Sequence, residues 1–210
     1  MPTPLSAKFF NQVLQPTRQL LADLAAHPLA LEPDSNQLLH QFEGLVLHAN
    51  HFCEKNGLQL QIGSAFRDMA NSIKHIRHKP EEQVNIELVV MFESSEKGFR
   101  FIRNSIQATY VVGGRKFDAV RELCAAVESY LPIVGIKSGC LHIPESPYPF
   151  YEWAVAYNRD DLAALTRSVT LITVKKEMSD YIPVDPETVR FVVLGKDTIG
   201  QDPTPHFPKI

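Results

Sequence analysis

Apolar residues recur at three-and-four spacing in four stretches of the chain, and each stretch predicts an amphipathic helix that buries one face. In residues 6–26 the stripe is Phe10, Val13, Leu14, Thr17, Leu20, Leu21 and Leu24, with Pro16 predicting a kinked or two-piece helix. A second helix, capped by Asp34 or Ser35, carries Leu38, Leu39, Phe42, Leu45, Val46, Ala49, Phe52 and Cys53 and stops at Asn56-Gly57. A third spans residues 64–79, with Ser64 as its cap and Pro80 just past its end. A fourth spans residues 115–131, with Phe117, Val120, Leu123, Cys124, Val127 and Leu131 on one face and Pro132 as terminator.

Between the third and fourth helices the period changes. Residues 84–92, 99–104 and 106–112 are rich in β-branched and aromatic side chains and are punctuated by Ser94-Ser95 and Gly113-Gly114, which predicts a hairpin or a three-stranded meander. Residues 132–149 hold four prolines and two glycines and predict a long connection. Beyond it, residues 152–157, 169–174 and 189–194 predict strands and residues 160–167 a short helix, while the proline-rich end at 201–210 predicts a mobile tail. The fold class is α+β: an N-terminal helical bundle with an inserted β-hairpin over residues 1–131, then a smaller α/β segment, residues 132–210, that packs on it and need not be an independent domain.

Composition narrows the class. At 44% hydrophobic and 21% charged, the chain has the means to bury a core, so disorder is not its default. No stretch approaches the roughly 18 uninterrupted apolar residues of a membrane span, and the start carries no basic segment followed by an apolar run. A cytoplasmic protein with no membrane partner and no cofactor is expected. Cys53, Cys124 and Cys140 are odd in number and widely spaced, which predicts reduced thiols, the first two on apolar helix faces.

The net charge of −3 gives no general attraction to nucleic acid, but residues 1–80 hold seven basic residues against six acidic, and the rest 14 against 18. The third helix is more lopsided, with Arg67, Lys74, Arg77 and Lys79 against Asp68 alone. At about 100° per residue, Arg67, Asn71, Lys74, His75 and His78 fall on one side of it, opposite Phe66, Met69, Ile73 and Ile76. Such a row is either a solvated face or, if something covers it, a phosphate-directed set. In the second case Arg67 holds an oxygen bidentately, Lys74 adds a point charge, Asn71 orients the group and His75 moves a proton near neutral pH, with Asp68 and His78 as further binding candidates.

The string Arg67-Asp68-Met69-Ala70-Asn71-Ser72-Ile73-Lys74-His75 resembles the R-D-x-A-N-x-x-K-H helix of a loose group of uncharacterised bacterial proteins. That group is distantly similar to HEPN domains, all-helical modules of which many cleave RNA through an arginine and a histidine at a dimer cleft. The resemblance implies a metal-independent ribonuclease with Arg67 and His75 catalytic, acting as a homodimer on RNA. Two other constellations stand beside it. The pairs His48-Ala49-Asn50-His51 and His75-Ile76-Arg77-His78 could give four imidazoles to a transition metal, although Lys74 and Arg77 beside the second pair would repel a cation. In the hairpin, Arg100, Arg103, Arg115 and Lys116 alternate with Phe99, Phe101 and Tyr110, a mixture that suits base stacking as well as a strand core. The first expectation for function is a binding or interaction module, self-associating or engaging RNA or another phosphate-bearing ligand; the ribonuclease and the metal-binding helical protein are the alternatives.

Overall fold

The computed structural model describes residues 3–26, 36–58, 63–75, 79–96, 98–137, 140–147, 170–177 and 180–183. The expected cap at Asp34 or Ser35, the strands at 152–157 and 189–194, the helix at 160–167, the tail at 201–210 and His78 lie outside the described residues.

The protein mixes helix and sheet. Helix α1 (Pro4–Phe9) runs through a π turn (Phe10–Leu14) into α2 (Gln15–Ala26), followed by α3 (Asn36–Asn56) and α4 (Ser64–Lys74). A single 3-10 turn at Pro80–Glu82 leads to β1 (Val84–Ser95), β2 (Gly98–Tyr110), β3 (Lys116–Asp118) and α5 (Ala119–Tyr130), with β4 (Thr170–Glu177) and β5 (Asp180–Pro183) after them. The strands form one sheet in the order β3-β2-β1-β4-β5. Strand β1 pairs in parallel with β4, Val89 opposite Thr170 through Glu93 opposite Val174, while β3 and β5 run antiparallel to β2 and β4. Hydrogen-bonded neighbours joined by only two residues must be antiparallel, which fixes β1 and β2 as a hairpin.

Pro16 explains the π turn. A proline ring inside a helix clashes with the carbonyl four residues back, here Gln12, and supplies no N–H. The widened turn, closed by the Gln15 N–H on the Phe10 carbonyl, makes room, and the buried Thr17 hydroxyl donates to the Val13 carbonyl at 2.7 Å. Widening also changes the phase of the helix. One turn before Leu14 now lies Phe9, which is fully buried, whereas Phe10 is 40% exposed, so the expected stripe is corrected by one residue at its start. Helix α3 ends as its sequence predicts. Gly57 sits at φ 62°, its N–H bonds the Glu54 carbonyl, and the Leu58 N–H bonds the Cys53 carbonyl, the paired pattern of a glycine-terminated helix.

The described residues divide into two compact units: those within Met1–Ala26, Asn36–Leu88 and Ser105–Pro144, and those within Val89–Asn104 and Glu145–Ile210. In the first, α3 packs against α2, α4 and α5, and Phe9 meets Phe52 and Tyr130 edge-on at 5.1 and 5.7 Å. In the second, β4 extends the sheet beside β1, and Phe92 meets Phe101 at 5.9 Å.

Two expected boundaries move. No break separates residues 99–104 from 106–112, because Asn104 and Ser105 are buried within the single strand β2. The fourth helix starts at Ala119 and not at residue 115, since Asp118 caps it by accepting from the N–H groups of Val120 and Arg121 at 3.0 Å each. Phe117 consequently stands in β3 beside Tyr110, at 5.4 Å, and not on the helix face.

The phase imposed by the π turn is tested by two substitutions. Phe9→Ala is expected to cost about 3–5 kcal/mol, as for a fully buried ring. Phe10→Ala is expected to cost less than about 1 kcal/mol. Urea unfolding of the two variants measures the difference, and equal losses would contradict the assignment.

Candidate functional site

Helix α4 is shorter than its pattern predicts. Gly63, not Ser64, occupies its N-terminal flanking position, and His75 leaves it in extended conformation at φ −127°, ψ 114°. Near that end Ser72 ties the returning chain to the helix: its hydroxyl accepts from the Val84 N–H at 2.9 Å and donates to the Glu82 carbonyl at 3.4 Å.

What remains is a helix with three sides. Phe66, Met69 and Ala70 are buried. Asp68 and Ser72, four residues apart, face the strand ends: Asp68 accepts from the Tyr110 hydroxyl at 2.9 Å, and Ser72 holds residues 82–84. Arg67 and Lys74 are exposed and Asn71 is half-buried between them, at the spacing of successive turns. Burial, followed by the Asp68 carboxylate, pushes the Tyr110 hydroxyl above its ordinary value, so Tyr110 stays a donor. The Arg115 guanidinium lies over the Tyr110 ring, 4.7 Å from its centre.

Asp68 belongs to the packing between helix and strand. His75 is exposed at the C-terminal cap, its N–H still bonded to the Asn71 carbonyl at 2.8 Å while its own backbone is extended. Arg67, Asn71 and Lys74 remain together.

The other expected sites fare differently. His40, His48 and His51 are exposed on α3, with His40 and His51 paired to Glu43 and Glu54 at 3.4 and 3.2 Å. Among the described residues no three His, Cys, Asp or Glu side chains gather as metal ligands. In the hairpin, Phe101 and Tyr110 are buried and Arg103 is only 7% exposed, so these residues do not form an open stacking platform. Cys53 and Cys124 are buried as expected, and burial pushes the Cys53 thiol up to about 11, which leaves it protonated and unreactive at neutral pH. No helix among the described residues is long and apolar enough to cross a membrane.

A second constellation escaped the pattern. Arg100 on β2 donates from Nε to Glu93 of β1 at 2.6 Å and from Nη2 to Glu145 at 2.8 Å. Glu145 also accepts from the Tyr181 hydroxyl of β5 at 2.5 Å and from Lys176 Nζ of β4 at 3.2 Å. Burial alone would raise the Glu145 carboxyl, but donation from Tyr181, Arg100 and Lys176 outweighs it and holds the group down to about 2. The signal was present: Glu93 ends the apolar run Leu88 to Phe92, and Arg100 stands between Phe99 and Phe101. A charge set in apolar strands needs a partner.

Glu145 gives the cluster a pH signature. A carboxyl with a depressed folded value contributes its full stability above its ordinary value, and loses it as pH falls from 4.5 to about 2. Glu145→Gln lacks this titration. The stability gap between wild type and variant, from urea unfolding, is expected to be full at about pH 6 and to narrow steadily toward about pH 2. A gap that ignores pH would contradict the assignment. No family model, no curated protein and no solved structure matches this chain.

Proposed function

We propose that the protein is a cytoplasmic binding module that engages an anionic, phosphate-bearing partner through Arg67, Asn71 and Lys74 on α4. The observation that carries this reading is the division of charge around the helix. Asp68, the one acid of α4, is turned to Tyr110, so the outward row holds two cations, a neutral amide and no carboxylate. Arg67 suits bidentate capture of phosphate oxygens and Lys74 adds a compact charge about 10 Å along the axis. A rigid helix spaces both groups before any ligand arrives, which lowers the ordering cost of binding.

Ribonuclease chemistry needs more than this row supplies. His75 would have to reach the phosphate that Arg67 holds from the end of the helix, about 12 Å further along the axis. Binding needs only the row.

A fluorescent single-stranded RNA oligonucleotide is a suitable probe, read by anisotropy across a salt series. Arg67→Ala with Lys74→Ala is expected to weaken binding by roughly tenfold or more. The same change should flatten the log–log salt slope by about 1.4, the loss of two phosphate contacts on a single strand. Equal affinities and slopes for wild type and variant would remove the proposal. Dimerisation abolished by the same variant would put a second copy on the row instead, and cleavage lost in His75→Ala would replace binding by catalysis.

A further inference from the structure

Glu145 sits in the second unit like a ligand in a receptor. The donors that meet it come from three strands: Arg100 from β2, Lys176 from β4 and Tyr181 from β5. Glu145 itself comes from the connection before residue 148, in the sequence Pro144-Glu145-Ser146-Pro147. The Ser146 N–H also bonds this segment to β2, at the Ile102 carbonyl, at 2.6 Å.

Each donor has a partner besides Glu145. Glu93 fixes Arg100 through Nε, leaving Nη2 directed at the carboxylate and, at 3.3 Å, at the Tyr181 hydroxyl. Lys176 stands over the Tyr181 ring, 5.4 Å from its centre, and is its cross-strand partner. Arg100, Lys176 and Glu93 together carry a charge of +1. That matches a single carboxylate better than a phosphate dianion, whose second charge would go uncompensated in a half-buried site.

We propose that Arg100, Lys176 and Tyr181 form a carboxylate-binding site, occupied in this structure by the chain's own Glu145 as an internal competitor. A ligand carboxylate entering the site displaces Glu145, whose side chain then loses its hold on the strands. Binding and release are one equilibrium, so a ligand with no preference for the opened form shifts nothing. A tethered carboxylate competes at an effective concentration on the order of millimolar, which sets the scale an external carboxylate must exceed. The site is independent of the α4 row in residues and in ligand class.

Acetate is the probe, and the full chain is melted in chloride and in acetate at equal ionic strength. Glu145→Ala opens the site. It is expected to melt below wild type in chloride and to gain ~3 °C or more in ~100 mM acetate, while wild type, with its site filled, gains less than half as much. Adding Lys176→Ala to Glu145→Ala should remove most of that gain. Equal gains in wild type and Glu145→Ala, or in Glu145→Ala with and without Lys176→Ala, would overturn the proposal. A larger variant-specific gain in phosphate than in acetate would overturn the carboxylate assignment. Should Glu145→Ala not fold in chloride, acetate is expected to restore folding, and its failure where Glu145→Asp folds would count against the site.

Discussion

The Tyr110 hydroxyl holds the Asp68 carboxylate at 2.9 Å, and the amount of positive charge that α4 shows to water depends on that bond. In a helix so short, one acid beside Arg67 would cancel half of the outward cationic charge. Drawn toward the end of β2, the same acid becomes part of the packing that orients the helix. Ser72 works on the same side, one turn further along, and ties residues 82–84 to the helix. Two polar side chains four residues apart thereby hold the element against the strand ends, and leave Arg67 and Lys74 exposed with Asn71 half-buried between them.

A related constraint shapes the second unit. Arg100 and Glu93 lie in strands whose neighbours are apolar, and their side chains are only 17% and 9% exposed. Charges with so little water are tolerable only when paired and hydrogen-bonded. The pair is 2.6 Å apart, and Glu145, Lys176 and Tyr181 complete it. The first unit uses polar groups to clear a surface, the second to fill one.

Much of the architecture was legible in local pattern. The stripes of α2, α3 and α5, the Gly57 stop, the Gly113-Gly114 turn and the strand near residues 169–174 all follow from residue spacing and backbone preference. What the pattern missed has two causes. The π turn that brings Phe9 into the core is local, forced by Pro16, whereas the tie of residues 82–84 to Ser72, the pairing of Phe117 in β3 and the continuity of β2 through Asn104-Ser105 involve partners distant in sequence. Helical periodicity alone carries α4 on to residue 79 and contains no trace of Val84 reaching Ser72. Likewise the sequence sets Asp68 next to Arg67 and contains no trace of Tyr110, 42 residues away, which draws its carboxylate toward the strand. Arg100 was noticed as a basic residue among aromatics, but its partner Glu145 lies 45 residues on, in a stretch with no periodicity at all.

The most direct measurement is a double-mutant cycle between Tyr110 and Asp68, read as affinity for the single-stranded RNA probe. Neither residue belongs to the proposed binding row, and the double variant separates charge from packing because it lacks both the bond and the carboxylate. Tyr110→Phe frees the carboxylate and is expected to weaken binding, whereas Tyr110→Phe combined with Asp68→Asn recovers wild-type affinity because α4 then carries no negative charge. Binding unchanged by Tyr110→Phe, or weakened without recovery in the double variant, would contradict the account.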